Sequence, residues 1–396
     1  MTQPGVRTTI SGGAQSGILG AGNVTAGSMT FVIHNYNGPA PRADELAIAV
    51  TPCPYPGLDY FGPDDARRFF GRDRAIGNLV EAISRQSLTA LVGASGSGKS
   101  SVVLAGLAPR LHQERGWLFS YFRIGNEPDR DPFLALARAV VRFSLPTSNG
   151  GTSSPNERLL VAKQLARQLR SGELTLHDVF AQCRSENKGS RILLIADQFE
   201  ETFTLLDDEG HRNRFIEVLL AGFPDPAPGS GPDICLALTM RADFYGHAIL
   251  HRPLANALQG HVENLGPMSR AELRLAIEKP AENSHVLFEP GLVETLLDDV
   301  ESKPGSLPLL QFALREIWGL QERGKITRSS YDAIGGVKGG LARRAEAIFA
   351  EMTDDGRHTA VARNFQRLFT RLVAPGERQE DTRRVVERRE CLIHPR

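Results

Sequence analysis

One stretch limits what this chain can fold into more than any other: residues 88–101, LTALVGASGSGKSS. An apolar run long enough for one strand leads into a glycine-rich loop. Val102, Val103, Leu104 and Leu107 then supply the apolar face of a helix. The loop residues Gly93, Ala94, Ser95, Gly96, Ser97, Gly98, Lys99 and Ser100 fit G-x-x-x-x-G-K-[ST] at every fixed position. The spacing has a physical reason. Glycines let successive backbone N–H groups turn inward around a polyphosphate. The helix that opens at Lys99 directs the positive end of its dipole at the same charge. Lys99 is expected at the β- and γ-phosphates, the Ser100 hydroxyl on Mg²⁺, and Ser101 beside them.

A second stretch answers the first. Residues 192–196 of RILLIADQFEE form a continuous apolar run, as strands buried on both faces do. The run ends in Asp197, about 100 residues after the loop. An acidic residue at that strand end can face the magnesium ion held by Ser100, which is the Walker B arrangement. Hydrolysis also needs a carboxylate that positions water. Gln198 follows Asp197 directly, and the carboxylates come later, as Glu200 and Glu201. The sequence does not choose between these two, and both also read as solvated residues at a helix start.

Bulk composition excludes more than it selects. The 396 residues allow two or three domains. Lys plus Arg equals Asp plus Glu, at 46 each, which argues against a general affinity for nucleic acid. The four cysteines lie far apart and form no C-x-x-C pair, so zinc is not expected and a reducing compartment fits. No basic-then-apolar leader opens the chain, and no apolar run approaches the ~18–20 residues that span a bilayer. The expectation is a cytoplasmic protein without a membrane partner.

Residues 1–51 differ from the rest. No Asp, Glu, Lys or Arg occurs from Thr8 to Pro41, and eight glycines fall in the first 40 residues. The segment reads as a flexible Gly/Ser/Thr tail, as short uncharged β-prone pieces able to stack in cross-β fashion, or as a small β element. The run PCPYPG, residues 52–57, is a stiff lead-in and a domain boundary.

From that boundary the chain resembles a known family. PYPGL followed by FFGRD, about 20 residues before the loop, is similar to the start of the novel STAND NTPase type 1 domain. These are signal-transducing P-loop ATPases related to the NACHT and NB-ARC groups. The resemblance implies an ATP/ADP site in which Phe70, Gly71 and Arg72 lie near the adenine. LTMRADF resembles the family's sensor 1 region and makes Arg241 a reader of the γ-phosphate; a structural ion pair is the other reading of that residue. The turn GSLPLL implies that Pro308, in a helical lid, touches the base, with a spacing one residue longer than the family's. IGGVKGGLARRAEAIF resembles the entry to a winged helix, where Phe365, Leu368, Phe369 and Leu372 make one apolar helix face. Some relatives carry an amyloid-like motif at the N-terminus that signals to a separate effector. Relatives usually continue past the winged helix into a repeat-built sensor, and no repeat period is visible here.

The expected architecture is α/β: a P-loop NTPase of the ASCE type with a parallel sheet, a helical lid and a partial winged helix. The expected divisions are residues 1–51, 52–268, 269–328 and 329–396. The expected activity is slow ATP hydrolysis controlling conformation and homo-oligomerisation, with an unidentified effector protein as partner. Two other readings stay open: an AAA+-like ATPase acting at DNA, and a nucleotide-binding scaffold without turnover.

Overall fold

A computed structural model describes residues 23–26, 29–32, 52–144, 154–187, 189–227, 229–300, 305–353, 367–368, 370–374 and 382–383. The chain divides into two compact units, residues 1–51 and 52–396. In the first, β1 (Asn23–Ala26) and β2 (Met29–Val32) pair antiparallel, with Ala26 opposite Met29. The β-prone pieces on either side of this pair lie outside the described residues.

The second unit is built on one five-stranded sheet. Its strands are β3 (Leu88–Gly93), β4 (Leu118–Phe122), β5 (Ile192–Ala196), β6 (Ile234–Arg241) and β7 (Val262–Leu265). They lie in the order β4-β5-β6-β3-β7, and every pairing is parallel. All residues of β3 and β5 are buried. That is why their sequences run continuously apolar instead of alternating. The side chains still divide between faces with the two-residue period of a strand. Ala90, Val92, Leu194, Leu236 and Leu238 enter the core on one face, and Leu91, Leu193, Ile195, Cys235 and Ala237 enter the core on the other. Each Val, Leu or Ile among them contributes about 1.5–3 kcal/mol on burial.

Helix Asp73–Arg85 and the helix after the glycine-rich loop cover the second face, through Ile76, Leu79, Ile83, Val103 and Leu107. The latter helix is α-helical at Lys99–Ser101, π-helical at Val102–Leu107 and α-helical again at Ala108–Arg115. Wide turns of this kind cluster at functional sites.

A separate core lies in the lid. Helices Arg270–Asn283, Leu292–Val300 and Ser306–Trp318 enclose Leu273, Ile277, Leu296, Leu310 and Ile317. Ser269 and Glu272 close a capping box at the start of the first of these helices. The same core takes in Tyr331, Ile334 and Val337, from helices Arg328–Ile334 and Gly336–Thr353. It also takes in Tyr55 from the lead-in. That ring is fully buried, meets Trp318 edge-on at 5.8 Å, and donates its hydroxyl to the Ile277 carbonyl at 2.5 Å. Burial raises the Tyr55 pKa well above its usual value, which keeps the hydroxyl a donor. Residues 52–61 are therefore a strap: Cys53 and Tyr55 pack in the lid core, and the Phe61 N–H donates to the Ser101 hydroxyl just after the glycine-rich loop.

Much of the region expected to form a winged helix, including Phe365 and Phe369, lies outside the described residues. Within it, two short strands, Val373–Ala374 and Thr382–Arg383, pair antiparallel. Among the described residues no helix is long and apolar enough to cross a membrane.

Gly71 packs directly against the lid helix Arg270–Asn283. Its φ is +85°, and a Cβ there would stand 2.3 Å from the Glu272 carbonyl oxygen. Backbone cannot yield as a side chain can. Gly71→Ala is expected to destabilise the fold by about 3 kcal/mol, from left-handed strain plus overpacking. A urea melt checks this, with a midpoint unchanged within error as the contrary result.

Candidate functional site

The strand order sets the site. β6 lies between the loop strand β3 and β5. Ala196, the last residue of β5, pairs with Leu238, so β6 runs three residues further. Thr239, Met240 and Arg241 thus reach past the end of β5 to where the chain turns at Asp197. Gln198 completes that turn at φ +54°, unusual for a residue with a side chain. Its N–H donates to the Thr239 hydroxyl at 2.8 Å.

At this corner the two motifs meet. The Ser100 hydroxyl donates to Asp197 Oδ1 at 2.8 Å, and the Thr239 hydroxyl donates to the same oxygen at 2.8 Å. Lys99 is buried and gives its ammonium to the carbonyls of Gly93 at 3.0 Å and Ala94 at 2.8 Å. Gly96 and Gly98 carry φ of +72° and +89°. Gly93 cannot carry a side chain, because a Cβ would meet the Leu265 carbonyl at 2.7 Å and Ser97 Oγ at 3.0 Å. The Ser101 hydroxyl faces the strap and accepts the Phe61 N–H at 3.1 Å.

Glu200 and Glu201 have different surroundings. Both are buried. The Glu201 carboxylate accepts from Arg123 Nε at 2.7 Å and from the Gly125 N–H at 2.7 Å, so both oxygens are engaged beyond β4. Glu200 lines the open cavity with Lys99, Ser100 and Arg241. It accepts a long bond, 3.3 Å, from the Arg241 N–H and one from its own backbone N–H. Burial raises the Glu200 pKa above the usual carboxylate range, and the Lys99 charge opposes that rise. Burial likewise lowers the Lys99 pKa, against the pull of Glu200.

Arg241 stands at the cavity wall. Its guanidinium is held by Asp243, with Nε at 3.0 Å from one oxygen and Nη2 at 2.6 Å from the other, and it lies over the Phe244 ring. Arg72 is buried and bridges two carbonyls, Ser97 at 2.8 Å and Gly266 at 3.0 Å. It braces the glycine-rich loop from below. Phe70 lines the cavity. Pro308 also lines it and packs against the loop, with its Cγ 3.0 Å from where a Cβ on Gly96 would be.

The cavity measures about 710 Å³, within the ~300–1,000 Å³ of small-molecule sites. Glycine-rich loop, β5 corner, strap and lid helix all contribute walls. The donor set fits a magnesium polyphosphate. A serine hydroxyl and a carboxylate in contact are the hard oxygen ligands magnesium takes. The Lys99 ammonium, held by two loop carbonyls, stands at the glycine-rich loop as a cation for phosphate oxygens.

Sequence reasoning missed Thr239, Arg123 and Gln311. Arg123 carried a signal, since it directly follows β4 at the same sheet edge as Asp197 follows β5. Thr239 carried none, because its role depends on how far β6 overreaches β5.

The model of the family described as novel STAND NTPase 1 matches residues 54–395. No curated protein matches the chain. Among solved structures, the chain is similar to the Aeropyrum pernix ORC1 protein in complex with DNA, with 15% identity, TM-score 0.47, and coverage of 78% of this chain and 74% of that one. A Walker-type ATPase of Pyrococcus abyssi shares 14% identity at TM-score 0.42, over 80% of this chain and 82% of its own. Cdc6p of Pyrobaculum aerophilum shares 15% identity at TM-score 0.39, over 66% and 67%.

Proposed function

Because the chain belongs to the novel STAND NTPase 1 family, we propose that this P-loop NTPase is a cytoplasmic signal-transduction switch set by ATP and ADP. Loop residues 93–101 hold the phosphates. Lys99 neutralises their charge, and Ser100 and Asp197 are the magnesium ligands. When bound there, magnesium would supply neutralisation of polyphosphate charge. Thr239 orients Asp197. Glu200 positions and deprotonates the attacking water, while Glu201 is a brace that aims Arg123. Arg241 reads the γ-phosphate. In this role it exchanges part of its contact with Asp243 for phosphate.

One observation carries the switch reading. The lid helix Ser306–Trp318 supplies Leu307, Pro308 and Gln311 to the same cavity as Lys99, Ser100 and Glu200. A ligand in that cavity touches sheet and lid at once, so contacts that differ between ATP and ADP bias their arrangement. In the proposed scheme residues 52–268, 269–328 and 329–396 act as nucleotide-binding, lid and winged-helix parts. The ATP state exposes a surface for homo-oligomerisation, and residues 1–51 pass the output to an effector protein.

The test loads the purified chain with ADP or with a non-hydrolysable ATP analogue and compares mass by light scattering and cleavage by limited proteolysis. The expected result is slow phosphate release from ATP and a larger assembly with the analogue. Equal mass and equal cleavage in both states overturn the switch and leave nucleotide binding intact.

A further inference from the structure

The lid helix meets the cavity along one face. Pro308 touches the glycine-rich loop at Gly96. Two turns on, Arg315 donates to the Pro56 carbonyl at 2.7 Å and ties the helix to the strap. Gln311 stands between these contacts, about one turn from each. It lines the cavity with the apolar side chains Met268, Ala276 and Leu307, and the charged Lys99 and Glu200 line the same cavity. Gln311 is 7% exposed, and its Oε1 has no hydrogen-bond partner. Buried side-chain oxygens are normally paired, so an orphan one at a cavity wall points to a partner that enters with a ligand. Of the other orphan atoms among the described residues, Arg72 Nε also belongs to a cavity-lining residue, but that guanidinium is already committed to two carbonyls.

A glutamine amide presents an acceptor beside a donor. Adenine presents the complement, an exocyclic N–H beside a ring nitrogen, and glutamine reads it in bidentate fashion. The terminal torsion of glutamine is broad, so the amide can turn to meet a base. The apolar neighbours suit the faces of a flat ring. We infer that Gln311 is the base-reading residue of the site: its carbonyl accepts the 6-amino group of adenine and selects 6-amino over 6-oxo purines. This rests on the cavity being the nucleotide site proposed above. The strap and lid would then close on the base while the loop holds the phosphates, so base identity and lid position are coupled through one side chain.

The test compares three probes by calorimetry with magnesium on the full chain: ADP, purine riboside 5′-diphosphate, which has hydrogen at carbon 6, and inosine 5′-diphosphate, which has oxygen there. The wild type is expected to bind ADP about 10-fold tighter than either of the others. Gln311→Met keeps the volume and removes the amide. It is expected to narrow the ratio to within about twofold, through weaker ADP binding. Gln311→Asn, which withdraws the amide by one methylene, gives the same readout should the methionine variant not fold. An ADP preference that survives in the substituted protein overturns the base-reading role alone, as does a wild type that prefers the inosine nucleotide. A wild type that binds none of the three overturns the nucleotide reading itself, and this inference with it.

Discussion

Lys99→Ala is expected to weaken MgATP and MgADP binding at least 100-fold while leaving the unliganded protein no less stable. The Lys99 ammonium is buried and held against the Gly93 and Ala94 carbonyls. A cation fixed at the mouth of a phosphate cradle, in a site of reduced dielectric, interacts with polyphosphate far more strongly than in water. Without nucleotide the same burial is a cost. It lowers the Lys99 pKa below that of an unfolded lysine. The unfolded chain therefore binds more protons at this site between the two pKa values, and stability rises with pH across that window. Below both values the penalty is present in full. The alanine variant removes it together with two hydrogen bonds, so its melting temperature without ligand should match or exceed the wild type. The wild type should melt higher when MgADP is added, and the variant should not respond. Binding within threefold of wild type, or a retained thermal response, would show that the loop does not hold the phosphates.

Legibility from sequence followed the range of the interactions. The loop at residues 93–100 and the strand ending in Asp197 were readable because each is local: a backbone conformation set by glycines, and an apolar run ended by one carboxylate. Their meeting was an expectation from the strand–loop–helix context, and in the structure the Ser100 hydroxyl contacts Asp197. What stayed hidden depends on tertiary placement. Glu200 and Glu201 are neighbours of one residue type, and only the approach of Arg123 and Gly125 from β4 separates them. Tyr55 reads as part of a stiff linker, and only the lid core turns it into an anchor. Gln311 sits in an apolar helix where one polar residue reads as surface, and only the cavity gives it a role. Arg72, expected beside the base through resemblance, spends its hydrogen bonds on two carbonyls under the loop. Sequence separation of 194 residues between Arg72 and Gly266 puts that contact beyond any local pattern.

The separation of the two glutamates gives the second large effect. Glu200→Gln is expected to slow ATP hydrolysis by about 100-fold or more with nucleotide affinity changed only a few fold, since an amide positions water but cannot take its proton. Glu201→Gln is expected to act on the fold instead. One amide oxygen can still accept from Arg123, but the amide N–H₂ then faces the Gly125 N–H, donor against donor. Loss of that charge-assisted bond in a buried place costs about 1–3 kcal/mol, read in a denaturant melt. Acid and base behaviour distinguishes the residues again. Burial raises the Glu200 pKa above its unfolded value. The folded state then holds its proton to higher pH, so this group's contribution to stability is present below the unfolded pKa and is lost as pH rises through the folded one. Glu200→Gln abolishes that loss, and at neutral pH the variant should melt above the wild type. Hydrolysis runs the opposite way, because the base works only when ionised: wild-type turnover should fall as pH drops through the raised pKa. In the proposed role, one residue would thus make the protein less stable at the pH where it is active, the trade expected of a buried catalytic carboxylate. If Glu201→Gln, and not Glu200→Gln, removes turnover without lowering stability, the roles are reversed, and the Arg123–Glu201 pair becomes part of the reaction.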